Sequence, residues 1–135
     1  MAHVLVDTGF LVALLSRDDQ HHRWAMVQAA THAHPWHTCE AVLSEAFHLL
    51  ESRRGGAQLA ELLQRRVVQA GFRFEGEMSA VLLLLRRYAN VPMSLADGCL
   101  VRMTEKLPDS VLLTTDGDFR VYRRLGRKVI PCRMP

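Results

Sequence analysis

The stretch Val4-Leu5-Val6-Asp7-Thr8 constrains this chain more than any other. Three consecutive apolar residues without alternation suit a strand buried on both faces of a parallel sheet better than an edge strand. Asp7 follows at once, and an apolar helical stretch, Gly9 to Leu15, follows it. A carboxylate therefore stands where a buried strand hands over to a helix, which is where open α/β sheets bind their ligands. Capping alone also accounts for it, since Asp and Thr are both preferred N-cap residues. A second arrangement of this kind, Val111-Leu112-Leu113-Thr114-Thr115-Asp116-Gly117-Asp118, comes late in the chain. There the simple reading of Asp-Gly-Asp is an Asx-turn.

Between these two stretches, helical patterns alternate with short strands. Helices are expected from about Gln20 to His32, with Asp19 as cap and Trp24, Val27 and Ala30 inward, and from Glu40 to Arg53, stopping at Gly55-Gly56. Others are expected over Ala57 to Ala70, with Leu59, Leu62, Leu63 and Val67 inward, over Gly76 to Tyr88, and over Ser94 to Lys106. The Leu82 to Leu85 run is read as core. Short strands are expected at His37-Thr38-Cys39, Phe72-Arg73-Phe74 and Lys128 to Cys132, with a basic helix, Phe119 to Leu125, before the last. Such alternation implies an α/β layered fold with a mostly parallel sheet. A length of 135 residues suits one domain, 1–135, with a real core.

Two more carboxylates occupy places that need explaining. Glu45 lies three residues after Val42 and four before Leu49, so it shares their helix face. A carboxylate on a buried face is costly unless it is paired, hydrogen-bonded or bound to a cation. A Glu at the edge of the face that reaches water or an Arg is the alternative. Asp97 stands three after Ser94, the spacing of a capping box. A carboxylate in a helix's first turn can also face a strand-end cleft. In a parallel sheet Asp7 and Asp116 emerge at one edge, and Glu45 and Asp97 lie on helices able to reach it. Four acids around one cleft call for a compensating charge. A hard divalent cation with oxygen ligands, Mg²⁺ or Mn²⁺, meets that need.

Composition narrows the classes. The apolar fraction is 49% and the charged fraction 23%, which describes a globular chain and not a disordered one. The net charge is +3, and all but Lys106 and Lys128 of the 17 basic residues are Arg. The pairs Arg53-Arg54, Arg65-Arg66, Arg86-Arg87 and Arg123-Arg124 fall mostly near expected helix C-termini, where cations offset the helix dipole. A phosphate-contacting role for one or two stays open. Three widely spaced cysteines with no Cys-x-x-Cys point to a reducing compartment, not to a disulfide framework or zinc knuckle. The start lacks the basic region of a signal peptide, and no apolar run is long enough to span a membrane. A cytoplasmic protein is expected. His32, His34 and His37 are read as solvated helix-end residues, with Zn²⁺ or Ni²⁺ binding as the alternative. A phospho-receiver would need a Lys just after a late strand, and neither Lys106 nor Lys128 is so placed.

Val4-Leu5-Val6-Asp7-Thr8-Gly9, Ser44-Glu45, Ser94-Leu95-Ala96-Asp97 and Leu113-Thr114-Thr115-Asp116-Gly117-Asp118-Phe119 together resemble the PIN-domain ribonucleases. Within that family the chain looks like the small VapC-like toxins of bacterial and archaeal toxin–antitoxin pairs. Asp19, His22 and Ala25 are similar to the Asp-x-x-His-x-x-Ala pattern of that branch. The likeness covers essentially the whole chain and resides in the order and spacing of the motifs. It implies a three-layer α/β/α sandwich with a mostly parallel, about five-stranded central sheet. It also implies a metal-dependent endoribonuclease whose acidic quartet is Asp7, Glu45, Asp97 and Asp116. Asp118 would be an accessory ligand and Thr114 the Ser/Thr two residues before the fourth acid. The implied cofactor is one or two Mg²⁺ or Mn²⁺ ions. The implied partners are an RNA substrate, a second copy of the chain, and an antitoxin whose tail crosses the acidic cleft. The competing function is a non-catalytic PIN-fold scaffold that binds protein or RNA. The presence of all four acids favours catalysis, because a scaffold has no use for a costly acidic cluster.

Overall fold

In the computed structural model, which describes residues 2–135 apart from the Arg53 side chain, the opening apolar run becomes β1 (His3–Val6). Its Val4, Leu5 and Val6 are buried, as both faces of a central strand require. The late run becomes β4 (Ser110–Leu113), also buried throughout. With β2 (Trp36–His37), β3 (Val68–Gln69) and β7 (Cys132–Arg133) they form a five-stranded sheet of order β3-β2-β1-β4-β7. Every pairing in that sheet is parallel. The sheet therefore matches the expected strand number and direction.

Strand order decides where a ligand can sit. From β1 the chain steps outward through α1 (Thr8–Leu15) and α2 (His22–Thr31) to β2, then through α3 (Glu40–Leu50) and α4 (Gly56–Gln64) to β3. It returns through α5 (Phe74–Arg87) and α6 (Leu95–Lys106) to β4 on the other side of β1. Right-handed crossovers running in opposite directions put α1–α4 and α5–α6 on opposite faces, which makes three layers. The order reverses between β1 and β4, so the crevice lies at their carboxyl ends. The core is built on those strands, with Phe10, Leu11, Leu50, Leu100 and Phe119 fully buried around them.

Several expected elements shift. α2 buries Ala25 and packs Trp24 against the core as expected, whereas Val27 is 56% exposed and Ala30 is exposed, so only Trp24 of the expected inner face lies inward. The Asp-x-x-His-x-x-Ala pattern has a structural use here. Asp19 Oδ1 accepts the His21 N–H at 2.9 Å, the His22 ring Nδ1 lies 2.7 Å from the Ala13 carbonyl, and Ala25 packs without exposure. α4 ends at Gln64 rather than Ala70, because Arg66 takes a left-handed conformation (φ 63°) and turns the chain into β3. The third strand is therefore Val68–Gln69, and Phe74 opens α5 instead of ending a strand. In α5, Leu84 is buried but Leu82 and Leu83 are 36% and 64% exposed, so only part of the Leu run is core. The expected basic helix is a single 3₁₀ turn, Gly117–Arg120, followed by an antiparallel pair of β5 (Arg123–Arg124) and β6 (Lys128–Val129). The final strand is thus two separate pieces, and Arg123-Arg124 is a strand pair, not a helix end. All three cysteines are free thiols.

Thr38, just after β2, is fully buried, and its hydroxyl donates to the Val6 carbonyl at 2.8 Å. That bond holds the β2 exit against the end of β1, one residue before Asp7. Thr38→Val keeps the shape and deletes the donor. It is expected to cost about 1–3 kcal/mol in urea unfolding; an unchanged midpoint would show that the bond carries no stability.

Candidate active site

Asp7 is the N-cap of α1, as expected, and it is more than a cap. Its own N–H donates to the Leu113 carbonyl at 3.0 Å, extending the β1–β4 pairing by one residue. Its Oδ1 accepts the Thr8 N–H at 2.7 Å, and its Oδ2 accepts the Thr114 hydroxyl at 2.7 Å. Only 5% of Asp7 is exposed. Burial drives its pKa from 3.8 to about 7, against the two hydrogen bonds, with Asp97 and Asp116 adding repulsion.

Thr114 ties two acids together. While its hydroxyl donates to Asp7, the same oxygen accepts the Asp116 N–H at 3.0 Å. Asp116 caps the 3₁₀ turn, its Oδ1 accepting the Asp118 N–H at 2.9 Å, which is the expected Asx-turn. Both readings of Asp97 also hold at once. The capping box is complete: Ser94 Oγ accepts the Asp97 N–H at 3.0 Å and Asp97 Oδ2 accepts the Ser94 N–H at 3.1 Å. Capping occupies Oδ2, and among the described residues nothing donates to Oδ1. The pKa of Asp97 is raised, chiefly by burial and further by Asp116.

These three carboxylates each offer an oxygen within 4.8 Å of the others. They line a cleft of about 570 Å³ together with Glu45 and Asp118. Glu45 is exposed, so it does not lie on a buried helix face; Leu49, which shares that face, is 48% exposed. What holds Glu45 is the Thr8 hydroxyl, which donates to its Oε2 at 2.9 Å. Glu45 and Asp118 thus belong to the cleft but lie outside the close triad. Among the described residues, no Lys or Arg is paired with any of these five acids; the ion pairs all lie elsewhere, at Glu61, Glu77 and Glu105. The triad's donor set, all oxygen, with Asp7 buried, Asp97 and Asp116 half-buried and no cation paired to it among the described residues, fits a hard divalent cation. Of the described residues, the His-rich stretch contributes to no such group. His32 faces the Gln28 carbonyl, and His37 packs edge-on against His3.

Three supporting residues had no role in the sequence reading. Tyr122, fully buried, directs its hydroxyl at both the Pro92 carbonyl and Asp97 Oδ2. Burial and the negative charge of Asp97 push its pKa up. A buried Tyr needs a polar partner, but nothing in its spacing names Asp97. Gly9 and Thr115 form the floor between α1 and the loop after β4. A Cβ built on Gly9 would stand 1.9 Å from Thr115 Oγ1. Any side chain at Gly9 would force Thr115 to shift.

The PIN domain family profile matches residues 4–125. The chain belongs to the PIN-domain family. Solved structures similar to it include the Mycobacterium tuberculosis VapC20 crystal structure, described as a sarcin–ricin loop cleaving toxin. The two share 25% identity and superpose with a TM-score of 0.74, covering 87% of this chain and 93% of that one. Among curated proteins, no sequence matches significantly.

Two outcomes follow from this geometry. Between about pH 4 and pH 7, folded Asp7 keeps a proton that an unfolded Asp has lost. The native state then binds more protons, so stability falls as pH rises through that window. In EDTA, wild type should lose stability from pH 4.5 to pH 7.5, and Asp7→Asn should flatten the decline. An equal decline in both proteins would remove Asp7 as its source. Gly9→Ala should lower the melting temperature by several degrees, and adding Thr115→Ala should recover part of the loss. No recovery in the double variant would place the strain elsewhere.

Proposed function

We propose that this PIN-domain protein is an endoribonuclease that hydrolyses RNA phosphodiester bonds with Mg²⁺ or Mn²⁺, and that it is the toxin of a toxin–antitoxin pair. One observation carries the reading: Asp7, Asp97 and Asp116 converge within 4.8 Å, with no cationic side chain paired to them among the described residues. Likeness to a toxin that cleaves the sarcin–ricin loop supports RNA as the substrate class.

Asp7, Asp97 and Asp116 would hold the cation, with Glu45 and Asp118 turned toward the same cleft. A divalent ion supplies charge neutralisation at the phosphate and a lowered pKa for water. The protein's own contribution is positional. Thr114 sets the spacing of Asp7 and Asp116, Thr8 links Asp7 to Glu45, and Ser94 with Tyr122 orients Asp97. Misplacement of such groups by an ångström is enough to lose orders of magnitude in rate.

A homodimer and a basic-tailed antitoxin belong to the same proposal. Leu59 is buried, and Leu62, Leu63 and Val67 pack against the core, inward as their spacing suggests, so they leave no exposed apolar face for a partner. Met78, Leu82 and Leu83 on α5 are exposed instead and support an interface there. Among the described residues, no helix is long and apolar enough to cross a membrane.

RNA cleavage by the purified chain should require Mg²⁺ or Mn²⁺ and stop in EDTA. Asp7→Asn, Asp97→Asn and Asp116→Asn should each reduce the rate at least ~100-fold, judging by the worth of positioned groups. Asp118→Asn should be milder. Undiminished cleavage by Asp97→Asn would reduce Asp97 to a helix cap and break the assignment.

A further inference from the structure

Beside the end of α6 lies a larger cavity, of about 710 Å³, that shares no lining residue with the acidic cleft. Asp97 stands at the start of α6, whereas this cavity is lined by Met103, Lys106 and Leu107 at its end, roughly 13 Å further along the helix. Its other walls are the sheet face at β2–β3 and the chain from Gln69 to Glu77. The size falls within the range of small-molecule sites.

Its chemistry is opposite to that of the cleft. Arg66, Arg73 and Lys106 line the cavity, with a single carboxylate, Glu77. Glu77 is already bonded by Arg102 at 2.7 Å and by Lys106 at 3.2 Å, which hold its pKa down. Neither Arg66 nor Arg73 has an ion-pair partner among the described residues. His3 and His37 face the same space, their rings 5.9 Å apart. Burial, and then the neighbouring His3, lowers the His37 pKa, which favours its neutral ring. Phe72, Met103 and Leu107 give the lining its apolar part. Gly71 and Gly76 add bare backbone, and a Cβ on either would meet nothing within 4 Å. Gln69, which lines the cavity, donates through Nε2 to the Arg66 carbonyl at 3.1 Å, and its Oε1 accepts from no donor among the described residues.

From this juxtaposition we infer that the cavity between the β2–β3 sheet face and the end of α6 is a binding site for a mononucleotide, separate from the acidic cleft. Arg66 and Arg73 match a phosphate in charge and fork geometry. Phe72, Met103 and Leu107 cover a flat base, and Gln69 Oε1 accepts from an exocyclic amine. The cations are grouped at one cavity, which suits a single nucleotide and not a strand tracked along a groove. The inference is independent of RNA cleavage.

The experiment is calorimetric titration of the full chain with AMP, repeated in EDTA, beside adenosine, inorganic phosphate and a short oligoribonucleotide. AMP is expected to saturate one site per chain with and without EDTA, and adenosine and phosphate to bind at least tenfold more weakly. The Arg66→Asn/Arg73→Gln double variant should weaken AMP tenfold or more. Gly76→Leu should do the same by filling open space; at a helix position with nothing within 4 Å it should fold normally, as thermal melts would show. Absence of saturable AMP binding would overturn the site. So would phosphate binding as tightly as AMP, or AMP binding that is indifferent to Gly76→Leu. Tighter binding of the oligoribonucleotide, blocked by Gly76→Leu, would overturn the mononucleotide in favour of an RNA strand.

Discussion

The structure turns on a buried carboxylate that has donors but no counter-charge. Asp7 sits at the reversal point of the sheet, where β1 and β4 end side by side and the crossovers leave for opposite faces. Two hydrogen bonds hold it, from Thr8 and Thr114, and they do not offset its burial, since its pKa is still raised to about 7. A fold that required only a helix cap would leave that cap in water, where Asp is content. Retaining it inside, beside two further acids, makes the apo site unfavourable by construction. A bound cation turns the same repulsion into affinity.

The supporting residues around the site share one property: each constrains a carboxylate while leaving it charge-poor in partners. Thr114 spaces Asp7 and Asp116 through one oxygen. Ser94 and Tyr122 both engage Asp97 Oδ2 and leave Oδ1 without a donor among the described residues. Gly9 lets α1 approach Thr115 closely enough for the loop after β4 to close over the first turn. Positioned oxygens with free lone pairs are what an oxygen-ligating metal needs, and preorganisation is what makes them effective. The basic cavity beyond α6 sits at the other end of that helix, so the two charge patterns are kept apart along one rigid element.

The sequence made the centre of the fold legible and left its margins obscure, for physical reasons. The Val4–Val6 and Val111–Leu113 runs are apolar because both sheet faces cover them, so burial writes itself into composition. Asp7, Asp97 and Asp116 were recoverable because each ends a strand or opens a helix. β2, β3 and β7 are two-residue strands, too short for a period to show, and hence Phe72–Phe74 was mistaken for a strand. α4 stops at an arginine in the left-handed region, not at the glycine that marks most such stops. Glu45 looked buried because helical spacing reports a shared face, not whether that face is covered. The Tyr122–Asp97 contact spans 25 residues, and no local pattern encodes it.

Whether the acidic cleft holds a divalent cation is tested by direct metal binding, without any assumption about substrate. Mn²⁺ titration followed by electron paramagnetic resonance counts free ion as the protein is added. Saturable uptake of one or two ions per wild-type chain is expected, with competition by Mg²⁺ and loss of the tightest site in Asp97→Asn while the variant stays folded. Wild-type protein that leaves the Mn²⁺ signal unchanged, or an Asp97→Asn variant that binds as wild type does, would contradict a cation site in the cleft.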